Sequence, residues 1–245
     1  MTTFRADLHI HTVLSPCGDL EMSPGNIVAK AAAMGLDIIG ITDHNSTRHC
    51  SLVNQLAERK GLFVLRGAEV TTREEVHCLV FFETTEKLNL LQDLIDSTLP
   101  DIKNNPELFG YQVQVDENEN IVYSEEKMLL NATGIAIDEL EKFVHANGGL
   151  FIPAHIDRKK NSIYSQLGFM PQGLIADAIE ISSKTNPEEY ITAHPEIKGL
   201  TVVRNSDSHY LSGIGTAVTG FELETRTFTE IAMALRSERG RRILL

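Results

Sequence analysis

The sequence predicts an α/β fold of right-handed βαβ units around a mostly parallel sheet or barrel, and three observations carry that expectation. Short apolar runs of strand length alternate with amphipathic stretches of helical period. The strand-like runs repeatedly stop at a histidine or a lone carboxylate, as strands do where their carboxyl ends open onto a functional face. The 245 residues, 42% of them hydrophobic, suffice for one sizeable core, so residues 1–245 are expected to form a single domain.

The first strand covers Ala6-Asp7-Leu8-His9-Ile10-His11-Thr12. Alternation puts His9 and His11 on one face with roots about 6 to 7 Å apart, close enough to converge on one ion. The turn-rich Ser15-Pro16-Cys17-Gly18-Asp19 follows, then Ser23-Pro24 as cap and first residue of a helix running to Gly35. Residues 36–42 read as a strand buried on both faces, ending in Asp43-His44-Asn45. Ser46 or Thr47 caps the next helix, which carries Leu52, Val53 and Leu56 at helical spacing and stops at Gly61. Leu62-Phe63-Val64-Leu65 then delivers Gly67-Ala68-Glu69. The strand over 76–82 opens with His77, a polar group that needs a partner in an apolar run.

Residues 86–99 form an amphipathic helix, and past Pro100 the pattern changes. Residues 111–115 and 121–123 alternate around Asp116-Glu117-Asn118-Glu119-Asn120, a projecting hairpin read as an insertion at about 100–130. A helix over 136–147 leads into Leu150-Phe151-Ile152-Pro153-Ala154-His155, with the basic trio Arg158, Lys159 and Lys160 beyond. Strands at 178–182 and 201–205 flank a short helix at 187–193, the second ending in Ser206-Asp207-Ser208-His209. A strand at 217–223 and a helix at 227–239 complete the chain.

Composition narrows the function. The net charge is -12 with no Lys/Arg stripe, so the field repels a polyanion and no long nucleic acid is expected as partner. A small phosphorylated molecule stays acceptable, because bound cations reverse the local potential. No apolar run approaches the roughly 18 residues of a membrane span, and the first strand is unlike a signal peptide, so a cytoplasmic protein without a membrane partner is expected. Cys17, Cys50 and Cys78 are odd in number and show no CxxC spacing, which suits a reducing compartment. Composition leaves the oligomeric state open.

His9, His11, His44, Glu69, His77, His155, Asp207 and His209 are the candidate metal ligands. Imidazole with carboxylate suits Zn, Mn or Fe. Eight donors exceed the three or four of one zinc site, so two or three divalent ions are expected, with Glu69 able to bridge.

Asp7-Leu8-His9-Ile10-His11, Thr42-Asp43-His44, Gly67-Ala68-Glu69, Pro153-Ala154-His155 and Ser206-Asp207-Ser208-His209 together resemble the motif pattern of the PHP (polymerase and histidinol phosphatase) family. The resemblance implies a distorted seven-stranded (β/α) TIM-like barrel with a trinuclear metal site that hydrolyses phosphoesters. It implies that His9, His11, Glu69 and Asp207 hold one ion, Glu69, His77 and His155 a second, and His44 and His209 a third. Asp207 and His209 are expected to be catalytic as well as ligating. The sequence departs from the pattern at the third ion, where the family supplies an Asp or His just beyond the HxH pair. Asp19 is expected in that role, with Cys17 as a thiolate alternative.

The expected reaction is hydrolysis of a small phosphorylated molecule, nucleotide or other phosphoester, by metal-bound hydroxide. Arg158 is suited to clamping phosphate, with Lys159 a weaker candidate. A barrel amidohydrolase is the alternative enzyme, but its bridging lysine has no counterpart here, where Glu69 stands. A non-catalytic, metal-stabilised module is the alternative of another kind, and the complete ligand set argues against it. Asp43 is read as orienting a ligand from behind. His49, His145 and His194 are read as structural or solvated.

Overall fold

In the computed structural model, which describes residues 1–245, β1 (Thr2–Ile10) is the strand around which the others assemble. Ser23 Oγ accepts the Asn26 N–H at 3.3 Å to start α1 (Pro24–Ala33), with Pro24 in the first turn, and β2 (Ile38–Ile41) follows. Helix α2 (Cys50–Glu58) starts later than a Ser46 or Thr47 cap would set it. Thr47 instead gives both its N–H and its hydroxyl to Gln92 Oε1, at 2.7 and 3.0 Å. Strands β3 (Phe63–Thr71) and β4 (His77–Phe82) precede α3 (Thr85–Thr98), which Thr84 caps. The short α4 (Pro106–Phe109) leads to the hairpin of β5 (Val113–Val115) and β6 (Ile121–Ser124), which forms its own two-stranded sheet. Then come α5 (Ile137–Ala146), β7 (Leu150–Pro153), α6 (Ile163–Leu167), β8 (Ile179–Glu180), α7 (Pro187–Ala193), β9 (Val202–Val203), β10 (Thr219–Leu223), α8 (Phe228–Leu235) and β11 (Arg242–Leu244).

Seven strands form one curled half-barrel sheet in the order β11-β10-β1-β2-β3-β4-β7. The expectation of a mostly parallel sheet is corrected, since β1–β2 and β2–β3 are parallel but the other four pairings are antiparallel. The link 72–76 explains the β3–β4 pairing, because a parallel return needs a crossover of about a dozen residues or more. Strand β4 must therefore turn back along β3. Its first residue, His77, pairs with Thr71, the last residue of β3, and so arrives at the end where β1, β2 and β3 terminate.

The parallel pair β8–β9 spans the gap between the sheet's two sides. Asp177 N donates to Phe151 O and Ile156 N to Glu180 O on one flank, while Ser208 exchanges backbone bonds with His9 and His11 on the other. Inside the curl lies an apolar cluster that includes Leu8, Ile38, Leu65, Leu79, Phe81, Ile152 and Val203. A larger cluster packs the outer face of the strands against α1, α2, α3 and α5 through Ile27, Val53, Leu91 and Leu140. Each such buried side chain contributes roughly 1.5–3 kcal/mol by leaving water. On β1 the register shifts between Asp7 and Ile10. Ala6 and Leu8 face the inner core below the shift, and above it His9 and His11 take the inward positions. The apolar plug thus ends where the polar residues begin. No helix is long and apolar enough to cross a membrane.

Candidate metal centre

Glu69 is the centre of the site. It follows Gly67 on β3, where a Cβ would meet Val80 O at 1.9 Å, so β3 and β4 approach as closely as they do only because the residue is glycine. The buried Glu69 carboxylate then receives five imidazoles. His44 Nδ1 and His77 Nδ1 lie 2.9 Å from it, His155 Nε2 3.1 Å, His9 Nε2 3.4 Å and His11 Nε2 3.5 Å. Asp207 Oδ1 closes the opposite side, 3.3 Å from both His9 Nε2 and His11 Nε2.

The surrounding hydrogen bonds fix which ring nitrogen is free in His9, His11 and His209. Ser15 has one hydroxyl proton and gives it to Asp43 Oδ1 at 2.7 Å, so its contact with His11 Nδ1 at 3.0 Å must be donated by the ring. His9 Nδ1 donates to the Glu180 carboxylate at 3.0 Å, and His209 Nδ1 to Asp207 O at 3.1 Å. The Nε2 lone pairs of His9 and His11 therefore face each other at 3.1 Å, with carboxylate oxygens on either side. Acceptors crowded in this way are held together by a proton on His9 or by a metal ion in its place. His155 Nδ1 is also buried with no hydrogen-bond partner. This donor set, imidazole with carboxylate, fits first-row divalent ions. Three groups have their ligand atoms within 4.8 Å of one another: His9, His11 and Glu69; His44, Glu69 and His77; and His11, His44 and His209.

Charge in the metal-free cluster is shared unevenly. Burial opposes ionisation of Glu69, but the imidazoles of His77, His9 and His44 outweigh it and hold the carboxyl well below its usual range. Burial likewise disfavours charged His9, and Glu180, Asp207 and Glu69 overcome it, raising His9 well above the usual value. For His11, burial and the neighbouring His209 and His44 act together and push it well below. Burial also raises the Cys17 thiol, but His209 and His44 beside it bring it down from 9.0 to about 6.

Supporting residues come from several loops. Asn45, His155 and Asp207 have positive φ (47°, 29° and 49°), a conformation that costs a non-glycine residue roughly 1–2 kcal/mol. Asn45 is held by giving its amide to Leu129 O and Asn131 O and by accepting Thr71 N–H. His155 N–H is fixed by Glu180 Oε2 at 2.9 Å, and Asn205 braces the same carboxylate at 2.8 Å. Glu180 and Asn205 support the cluster through these hydrogen bonds and are absent from the candidates the sequence offered. The available signal was Glu180 itself, a lone carboxylate in the apolar run Ile179-Glu180-Ile181.

The remaining candidates are placed as follows. Arg158 Nη1 lies 2.5 Å from Asp207 Oδ2. Arg158 lines a cavity of about 500 Å³ with Lys159, Lys160, Asn161 and the cluster, and none of the ten lining residues is hydrophobic. Asp19 stands apart from the three ligand groups: its Oδ1 accepts Glu21 N–H at 2.8 Å, while its backbone N–H donates to His209 O. Asp43 acts on His11 through Ser15, and its other oxygen accepts from Thr12 Oγ1. His49 links Thr12 Oγ1 to Val115 N–H of the hairpin. His145 bridges Glu141 and Asp177, and His194 stacks on Tyr190.

A curled α/β half-barrel with a buried histidine and carboxylate centre at its mouth defines the class, a barrel-like α/β fold with a candidate metal site. The family model described as PHP domain matches residues 7–166 and a second, described as PHP-associated, matches 196–239. The chain belongs to the PHP domain family. It is similar to the uncharacterised protein YqxK of Bacillus subtilis, 24% identical over 100% of this chain and 65% of that one. Endonuclease Q of Pyrococcus furiosus, a lesion-specific endonuclease, superposes with a TM-score of 0.72 at 20% identity, covering 100% of this chain and 58% of its own. A protein of Bifidobacterium adolescentis assigned as a metal-dependent phosphoesterase gives 0.60 at 22% identity, covering 87% of this chain and 91% of its own. The chain thus spans about two thirds or less of the length of YqxK and of endonuclease Q.

The expectation that no long nucleic acid is a partner is corrected by this likeness. Endonuclease Q has been solved with a 27-mer duplex carrying an abasic lesion at its active site, so the fold accommodates duplex DNA. The physical error lay in using a whole-chain charge of -12 where the local field decides. Three cationic side chains rim the cavity, and bound metal ions would add to them.

Proposed function

We propose that this chain hydrolyses phosphoesters with two or three divalent ions held by His9, His11, His44, Glu69, His77, His155, Asp207 and His209. The observation that carries the reading is the convergence of five imidazoles and Asp207 on the buried Glu69, with Nε2 lone pairs turned inward. Zn, Mn or Fe ions bound there would supply Lewis-acid activation of water and neutralise charge on phosphoryl oxygens.

The chain's own residues supply the rest. Glu180 and Ser15 hold His9 and His11 in the tautomers that keep Nε2 free. Asp207 and His209 are the catalytic residues at the open side of the cluster. Arg158, joined to Asp207, is placed to clamp phosphate oxygens next to the ions, with Lys159 flanking it. The absence of hydrophobic lining supports a substrate that presents phosphate and sugar to the cavity rather than an apolar group. A small phosphorylated molecule satisfies that requirement. A second reading, cleavage of a DNA backbone, is favoured by the likeness to endonuclease Q and by the same basic rim.

The test is a phosphoester panel run after chelator stripping and reloading with Zn, Mn or Fe. It should include aryl mono- and diesters, nucleotides and a duplex with an abasic lesion. Metal-dependent turnover of at least one phosphoester, abolished by Asp207→Asn, is the expected result. A fully metal-loaded protein inert on every member would count against the reading. Arg158→Ala should lower turnover by about 10²–10³-fold, the range for losing one preorganised donor, with metal content unchanged.

A further inference from the structure

We infer that His49 is a positioning residue for the metal centre, tying the β5–β6 hairpin to the carboxylate that braces His11. The inference rests on the metallohydrolase reading above and deepens it. The hairpin becomes a working part of that site, ordered together with the ions.

A chain of hydrogen bonds carries the inference. Val115 N–H of the hairpin donates to His49 Nε2 at 2.9 Å, so the ring keeps its own proton on Nδ1. That proton goes to Thr12 Oγ1, 2.6 Å away, which also accepts Leu14 N–H. Thr12 in turn spends its single hydroxyl proton on Asp43 Oδ2 at 2.8 Å. The other oxygen, Asp43 Oδ1, accepts Thr12 N–H and Ser15 Oγ–H, both at 2.7 Å. Ser15 Oγ then accepts His11 Nδ1–H at 3.0 Å and His44 N–H at 3.1 Å. Two arms therefore meet at Asp43, one from the hairpin and one from His11. Thr12, Ser15, Asp43 and His49 are all fully buried, so no solvent replaces a lost partner and each broken link leaves a polar group unpaired. With both ring nitrogens spent, His49 acts on the cluster only through this chain.

Packing runs along the same line. Val13 forms a small apolar cluster with Val113 and Val115 of the hairpin. A Cβ at Gly110 would meet Pro16 O at 2.0 Å, so the segment leading into the hairpin lies directly on the loop that carries Ser15. The loop over 12–16 is thus held between hairpin and cluster. Coupling of this kind is reciprocal: whatever the docked hairpin adds to metal affinity, bound metal adds to hairpin docking.

The test combines zinc affinity by chelator competition, urea melts of the metal-free chain and amide hydrogen exchange, all on the whole chain. His49→Phe keeps the ring but removes both nitrogens, and should weaken zinc binding by about 10-fold, the lower end for a partner behind a ligand. His49→Asn keeps a donor for Thr12 while leaving Val115 unbonded, and should fall between this variant and wild type. Ser15→Ala should also weaken zinc binding, and the double variant with His49→Phe should lose less than the product of the two effects. Ile231→Ala, a core truncation on α8 away from the chain of bonds, should lower stability without this loss of affinity. In wild type alone, zinc should slow exchange of the Val115 amide by about 10-fold, the reciprocal of the affinity effect. Unchanged affinity in His49→Phe, effects that multiply in full with Ser15→Ala, an equal loss of affinity in Ile231→Ala, or Val115 exchange indifferent to zinc overturns the inference while leaving the metallohydrolase reading in place. A wild-type chain that retains no zinc overturns both.

Discussion

Glu69 and Glu180 are both buried carboxylates, but they act at opposite ends of the same imidazole. Glu69 faces His9 Nε2, where an ion would sit, whereas Glu180 takes the proton of Nδ1 and so fixes the tautomer. Replacing Glu180 with Gln keeps the shape while removing the charge that polarises His9. Glu180→Gln should weaken metal binding by about 10- to 100-fold, the usual cost of losing a partner behind a ligand, and chelator competition would measure it. An unchanged affinity would mean that His9 is oriented by its strand alone. At this scale the candidate ligands were legible, because His44, Glu69, His155, Asp207 and His209 each stand where an apolar run stops. The residues behind them were less so. Ser15, Asn205 and Glu180 acquire their meaning only when separate loops meet, and nothing in their local sequence encodes that meeting.

The decisive element is the β3–β4 hairpin. It carries Glu69 on one strand and His77 on the other, and its Thr71–His77 register brings both to the mouth. Gly67 sets the spacing. Gly67→Ala would drive a methyl group into Val80 O and part the strands. The expected outcome is a loss of about 1–3 kcal/mol in urea denaturation, together with reduced metal content as His77 moves from Glu69. Wild-type stability and full metal content in this variant would contradict the role given to the hairpin. Most elements were legible from apolar period and caps, α1 with Ser23-Pro24 and α7 over Pro187–Ala193 among them. Strand direction was misjudged. The link 72–76 is too short for a crossover, and the alternation of strands with helices elsewhere hid that local constraint. The sites of α4, α6 and β11 carry too few periodic residues to announce themselves.

For the whole molecule, the cluster couples metal, protons and stability. In the metal-free chain, burial opposes charge on His44 but Glu69 and the Cys17 thiol together outweigh it, raising the imidazole from 6.5 to about 10. A folded-state value above the unfolded one means that this contribution is complete below about 6.5 and is lost as pH rises through about 10. Bound metal works in the opposite sense, because the ligands must give up their protons to it. Thermal melts with and without chelator should therefore show the stabilisation by metal growing as pH rises, while in the metal-free chain the Cys17 thiol, lowered from 9.0 to about 6, offsets the His44 loss over the same range. A metal effect independent of pH would argue against imidazole ligation. Overall charge proved a poor guide at this scale, since the chain's -12 is spread over its surface while the cavity is rimmed by Arg158, Lys159 and Lys160.

The central claim is that one buried carboxylate organises a cluster of several ions, and elemental analysis of metal-replete protein tests it most directly. Wild type should carry two or three first-row ions per chain. Glu69→Gln should lose most of them while remaining folded, because Glu69 meets five imidazoles. At most one ion in wild type, or an undiminished content in Glu69→Gln, would contradict the account.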